Sequence, residues 1–238
     1  MKRKTLSFSL QGSLKNDEET IFSNIKLKIN FNKWTSIIGK SGSGKSTLLK
    51  VMAGMDLPEV FINTIKSSNK NFSFSWMAQN DLLLPWASVI DNITLGQKLR
   101  REKLDLERAL NLLKQVGLIN KVNALPSTLS GGMRQRVALA RTIMENKNII
   151  LMDEPFSALD SITRSEMQKL TWELLKDKTV IMVTHDPLEA LLLSNDLYYI
   201  TKHKLNPIKL PNSEPFRKIN DKSLLYSHKF IFNKLEKS

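Results

Sequence analysis

The chain of 238 residues contains no cysteine, which excludes disulfide cross-links and thiolate-ligated metals and fits a reducing compartment. Long apolar runs are also missing: no uninterrupted stretch approaches the roughly 18 residues of a membrane-spanning helix. The chain is therefore not expected to cross a bilayer. The opening MKRKTLSFSL is basic but has neither an extended apolar segment nor a small-residue cleavage site, so nothing marks it for export. Acidic residues are few beside basic ones, 23 against 36, leaving a formal net charge of +13. Such an excess admits a nucleic-acid partner or an anionic membrane surface. The cations are scattered, however, through Lys2 to Lys4, Lys98 to Lys103 and the C-terminal segment, without the aromatic-interleaved basic block of an RNA-binding surface. A solvated lysine-rich surface is the leading expectation, a membrane-proximal role the alternative, and no nucleic-acid partner is expected.

What is present is an alternation of strands and helices. KWTSII (Lys33–Ile38) is a short β-rich run ending at a glycine, and STLLKVMAG (Ser46–Gly54) follows with helical character. NIILMDEP (Asn148–Pro155) and TVIMVTHD (Thr179–Asp186) are continuously apolar rather than alternating, as strands of a parallel sheet covered on both faces are. Between them, Ile162, Met167, Leu170 and Leu174 recur near helical spacing and complete a β-α-β crossover. The fold class is α/β. Residues from about Gln79 to Leu125 repeat leucines at helical spacing without a strong strand, predicting a helical insert. From about Thr201 the pattern turns irregular, polar and lysine-rich, and reads as a peripheral tail.

GKSGSGKS (Gly39–Ser46) is a phosphate-binding loop between a strand and a helix. Its glycines Gly39, Gly42 and Gly44 let the backbone amides of Lys40 to Ser46, through Ser41 and Ser43, curl around a β-phosphate. Lys45 brings a positive charge toward the β- and γ-phosphates, Ser46 offers a hydroxyl to Mg²⁺, and Thr47 continues the helix whose positive end faces the anion. A nucleotide triphosphatase of this type also needs a carboxylate at the end of an apolar strand. Asp153 in IILMDE supplies it for the metal, and Glu154 is placed to polarise the attacking water. His185, just after TVIMVT, is a candidate contact to a γ-phosphate. LSGGMRQR (Leu129–Arg136) puts Ser130 and two glycines ahead of an amphipathic helix, a second anion site in the same chain.

In order, GKSGSGKS, MAQND, LSGGMRQR, LMDEPFSALD and VTHD resemble the motifs of the ATP-binding cassette (ABC) ATPases, the nucleotide-hydrolysing subunits of ABC transporters. The resemblance covers residues 5–200, and it implies a P-loop NTPase core of the RecA-like type, an antiparallel β-region and a helical subdomain at about 80–145, with 201–238 left as a C-terminal tail. It implies ATP and Mg²⁺ as the bound species. Gln79 becomes the glutamine that reaches the metal and the attacking water; Ser130, Gly131, Gly132 and Met133 become the signature motif; Asp160 becomes the D-loop aspartate. His185 becomes the switch histidine and Glu154 the catalytic base. In this family the signature motif binds the γ-phosphate of an ATP held by the other subunit, so a homodimer is implied.

The phrase NDLLLPWASVIDNI after Gln79 resembles importer ATPases of the nitrate, sulfonate, taurine and thiamine-pyrimidine-precursor group. That likeness implies transmembrane permease subunits as direct partners, a solute-binding protein as an indirect one, and a peripheral location on the cytoplasmic face of the inner membrane. Leu82 to Trp86 would form a socket for a coupling helix of the permease. The alternative class is a soluble cassette ATPase acting on nucleic acid or ribosomes, against which stand the single cassette and the lack of a continuous basic patch. Three departures stand out. Met133 replaces the glutamine most cassettes have, Leu10 falls where an aromatic residue normally stacks on adenine, and Asp56–Ser75 lacks the usual turn glycine.

Overall fold

The computed structural model describes residues 7–15, 20–55, 62–63, 66–67, 73–201, 203–218 and 221–236. The basic residues Lys2 to Lys4 and most of the shortened 56–75 segment lie outside them. In chain order the strands are β1 (Ser7–Lys15), β2 (Thr20–Asn30), β3 (Trp34–Ile38), β4 (Ile62–Asn63), β5 (Lys66–Ser67), β6 (Phe74–Met77), β7 (Ile149–Asp153), β8 (Thr179–Thr184), β9 (Asp196–Thr201) and β10 (Lys204–Ile208). The helices are α1 (Lys45–Ala53), α2 (Val89–Ile93), α3 (Leu95–Leu99), α4 (Leu106–Gln115), α5 (Gly131–Met144), α6 (Ser161–Leu175), α7 (Pro187–Leu193) and α8 (Lys222–Glu236). Among the described residues no helix is long and apolar enough to cross a membrane.

The chain divides into two compact units, residues 1–73 with 175–238, and residues 74–174. In the first, β3 lies between β8 and β9, parallel to both, and β10 runs antiparallel along β9. Every residue of β3 and β8 is buried, which is why both read as unbroken apolar runs rather than alternating ones. The antiparallel β-region is present in the same unit: β1 pairs with β2, and the short β4 and β5 pair with β1. Leu10 stands opposite Leu27 and is 4% exposed, so its side chain belongs to the interior and offers no face to an adenine ring.

The C-terminal residues are more ordered than their composition suggests. Where an irregular tail is expected, β10 and the 15-residue α8 form, and α8 packs on α7 with Leu224 and Ile231 fully buried. Only one face of α8 is apolar and inward, and exposed Leu225, Tyr226, Phe230 and Phe232 blur the periodicity that would reveal it.

In the second unit β6 and β7 are parallel, and α2, α4 and α5 enclose a core built from Val89, Ile93, Leu113, Val116, Val137 and Ala140. Asp105 and Ser130 cap α4 and α5, each accepting the N–H three residues on, at 3.0 and 3.3 Å. Met167 of α6 is fully buried, Leu170 and Leu174 pack against the core, and Ile162 at the same nominal spacing is 73% exposed.

Candidate nucleotide site

The phosphate loop runs from the end of β3 into α1, in the first unit. Gly44 caps α1 with φ +85° and offers no side-chain acceptor to the first-turn amides. A Cβ on Gly44 would stand 2.5 Å from Ile21 Cγ2, so both its conformation and its surroundings demand glycine. Lys45 is 4% exposed and donates from Nζ to the carbonyls of Gly39 and Lys40, each at 2.9 Å. The loop's own carbonyls thus hold the ammonium in place before any anion arrives. Ser43 Oγ is buried and makes no hydrogen bond among the described residues. An orphaned hydroxyl beside a clamped lysine at a helix start fits the donor set a polyphosphate needs.

Charge points the same way. Acidic side chains normally favour the first turn of a helix, and α2, α4 and α7 have them in Asp91, Glu107 and Glu189. α1 and α5 have none, a feature they share with α3, α6 and α8. At α1 and α5, the helices whose N-termini the motifs assign to phosphate, no first-turn carboxylate would repel the anion. Also in the first unit, β8 ends at Thr184, whose Oγ1 accepts the N–H of Asp186 at 3.0 Å, and Asp186 caps α7 by accepting from Leu188 at 2.8 Å. His185 lies between these anchors with an exposed side chain.

The remaining motif residues fall in the second unit. β7 delivers Asp153 half-buried at its end, and Glu154 follows at φ +46°, a left-handed conformation unfavourable for a non-glycine residue. Ser157 closes the turn, donating from Oγ to the Glu154 carbonyl at 3.0 Å, and Gln79 Nε2 donates to Ser157 Oγ at 3.4 Å. Gln79 is therefore one hydrogen bond removed from the turn that carries Glu154. Ser130, Gly131, Gly132 and Met133 line a cavity of about 430 Å³ together with Asp160 and Thr163. A Cβ on Gly132 would meet Thr163 Cγ2 at 2.6 Å, so a side chain there would push the signature turn off α6. Asp160 caps α6, and hydrogen bonds from Thr163 hold its carboxyl below the usual carboxylate range.

The sequence reading missed the residues that wire the Gln79 loop to the signature helix. Arg134 donates to Asp81 at 2.9 Å and to the Leu129 carbonyl at 2.9 Å; Arg141 donates to the carbonyls of Asp81 and Leu82 at 2.6 and 2.8 Å. Burial pushes the Arg141 pKa down while Asp81 and Glu145 oppose it. Gln135 Nε2 reaches the Pro155 carbonyl at 2.6 Å, and buried Asn92 bonds the Leu84 N–H and the carbonyls of Leu84, Ala87 and Ser88. Seven residues separate Arg134 from Arg141, which puts them on one face of α5, and that spacing was the available signal. Leu82 to Trp86 do not act as one apolar set: Leu82 and Trp86 are 63% and 76% exposed, while Leu83 turns into the core.

The sequence profile described as ABC transporter matches residues 22–157. An uncharacterized ABC transporter ATP-binding protein of Haemophilus influenzae is 40% identical over 219 residues, covering 89% of this chain and 91% of that protein. The aliphatic sulfonates import ATP-binding protein SsuB 1 of Rhodococcus jostii is 42% identical, covering 83% and 80%, and SsuB of Escherichia coli is 38% identical, covering 79% and 74%.

Proposed function

The chain belongs to the ABC transporter family as an ATP-binding ATPase, and on that premise we propose that it is the ATP-hydrolysing subunit of an importer, working as a head-to-tail homodimer beneath a membrane permease. The observation that carries this reading is the pair of glycine-bearing helix starts, α1 at Gly44 and α5 at Gly131 and Gly132, where a Cβ on Gly44 or Gly132 would meet a neighbour at 2.5 or 2.6 Å. One chain needs only one of them for its own nucleotide. The other is explained if it serves a neighbour's.

In this reading the amides and side chains of Gly39 to Thr47 bind the phosphates, and Lys45 is pre-positioned by its two carbonyl contacts. Ser46, Gln79 and Asp153 would hold Mg²⁺, an ion that takes few protein ligands and neutralises charge on the β- and γ-phosphates when bound. Glu154 accepts a proton from the attacking water, Gln79 orients that water, and His185 donates to the γ-phosphoryl oxygens. Ser130 with the amides of Gly131 and Gly132 contacts the γ-phosphate of the partner's nucleotide, and Asp160 lies beside it as the D-loop aspartate. Exposed Leu82 and Trp86 form the surface that meets the permease, and a solute-binding protein delivers the solute from the far side. The subunit would sit peripherally on the cytoplasmic face of the inner membrane. Nothing in a cassette touches the transported solute; among sulfonates, taurine, nitrate and thiamine pyrimidine precursors, the names of the relatives favour an aliphatic sulfonate.

The test is Glu154→Gln. It keeps the shape of the side chain and removes the base, so steady-state phosphate release should fall by 10²-fold or more, on the order expected for a lost general base. ATP binding should persist and an ATP-bound dimer accumulate on size-exclusion chromatography. Wild-type turnover by this variant would sink the assignment of Glu154.

A further inference from the structure

The last carbonyls of any helix lack partners within it. At the end of α7 they are taken up by a distant segment. Arg217 Nη1 donates to the carbonyls of Leu191 and Ser194 at 2.7 and 2.8 Å, and the N–H groups of Phe216 and Arg217 donate to Leu192 at 2.7 and 3.2 Å. Arg217 Nη2 also reaches the Pro211 carbonyl at 3.4 Å. Arg217 is 6% exposed, and burial pushes its pKa down while Glu214 and Asp221 oppose the shift. An apolar side chain would fill the same space without desolvating a cation; a buried cation at this end is favoured by the helix dipole and by the carbonyls it collects. The opposite end of α7 is anchored as well, through Asp186 and Thr184, and His185 lies in the single step between β8 and that anchor. Seven residues make a short, stiff rod, so a tilt at one end is passed to the other.

We propose that Arg217 is a positioning residue for His185: by clamping the far end of α7 it fixes the helix whose near end aims the histidine, and it makes the C-terminal segment part of the hydrolytic machinery. This rests on the reading of His185 as the γ-phosphate contact. A displacement of about 1 Å at a reacting group costs up to 10²-fold in rate, so a modest loss of anchoring is enough to register.

The experiment compares the purified full chain with Arg217→Ala, Arg217→Lys, His185→Ala and the His185→Ala/Arg217→Ala double variant. Readouts are ATP turnover, affinity for a fluorescent ATP analogue, and the imidazole NMR signals, which are easily told apart because the chain has 3 histidines. Arg217→Ala should lower kcat about 10-fold with KM and nucleotide affinity within about twofold. Arg217→Lys should recover part of the loss. The His185 signal should shift while that of His203 stays, and the double variant should be no slower than His185→Ala alone. An unmoved His185 signal, an unchanged kcat, or losses that simply add would overturn the proposal. Wild-type turnover by His185→Ala would instead overturn the reading beneath it. If Arg217→Ala does not fold, Arg217→Lys carries the same comparison in both backgrounds.

Discussion

At the residue scale, the signature and the catalytic turn are each explained by local contacts and backbone geometry. The Met133 N–H donates to the Ser130 Oγ cap, while the Met133 side chain packs against the core of Leu129, Val137 and their neighbours. Met133→Gln should therefore leave kcat within about twofold and cost about 1 kcal/mol of stability, as typical single substitutions do; a phosphate-release assay with a thermal melt checks both. Gly132 has no such freedom. Gly132→Ala should abolish most turnover because its methyl meets Thr163 Cγ2, and the Thr163 side chain is held by its hydrogen bond to Asp160. Adding Thr163→Ser removes that methyl and keeps the hydroxyl, so the double variant should regain activity. If it does not, the close approach is not the reason for the glycine. Glu154 adds a backbone cost of about 1–3 kcal/mol through its left-handed φ, a strain of the kind that clusters at functional turns.

At the scale of elements, legibility follows burial. β3, β7 and β8 were readable because burial on both faces writes an unbroken apolar run, and the phosphate loop because its glycines, lysine and serine have fixed spacing. The α/β class followed from the strands and the crossover helix between them. β10 and α8 were not readable. β10 is an edge strand containing Pro207, and α8 buries Leu224 and Ile231 two turns apart among exposed aromatics and lysines. A start signal existed in Asp221, which accepts from Ser223 N–H at 2.9 Å, but a lone aspartate before a mixed run says little. The arginine wiring of α5 was hidden for another reason: its acceptors are backbone carbonyls, which carry no side-chain signature. The loop of Leu82 to Trp86 shows how exposure splits an apolar run. Leu83→Ala should lose about 2–5 kcal/mol in denaturant unfolding, as core truncations do, whereas Trp86→Glu should leave stability unchanged and cost co-purification with the permease. Retained co-purification would exclude Trp86 from that surface.

At the scale of the whole molecule the question is why one chain holds two anion-directed helix starts when it binds one nucleotide. The net charge of +13 does not single out either helix start, because its lysines are dispersed along the chain. Shared sites make a prediction that separate sites do not. A chain with Lys45→Ala keeps an intact signature turn, and a chain with Gly132→Asp keeps an intact phosphate loop. Each alone should be inactive, since every composite site in either homodimer carries one lesion. Mixed in equal amounts under Mg·ATP, half of randomly formed dimers are heterodimers, and each has one site with the good loop of one chain facing the good turn of the other. Turnover should reappear at about a quarter of the wild-type level if single sites fire independently, a figure set by random pairing. It should also rise with the square of protein concentration while dimers are scarce. If each chain instead used its own signature turn, every site in the mixture would still carry a lesion, and mixing would restore nothing.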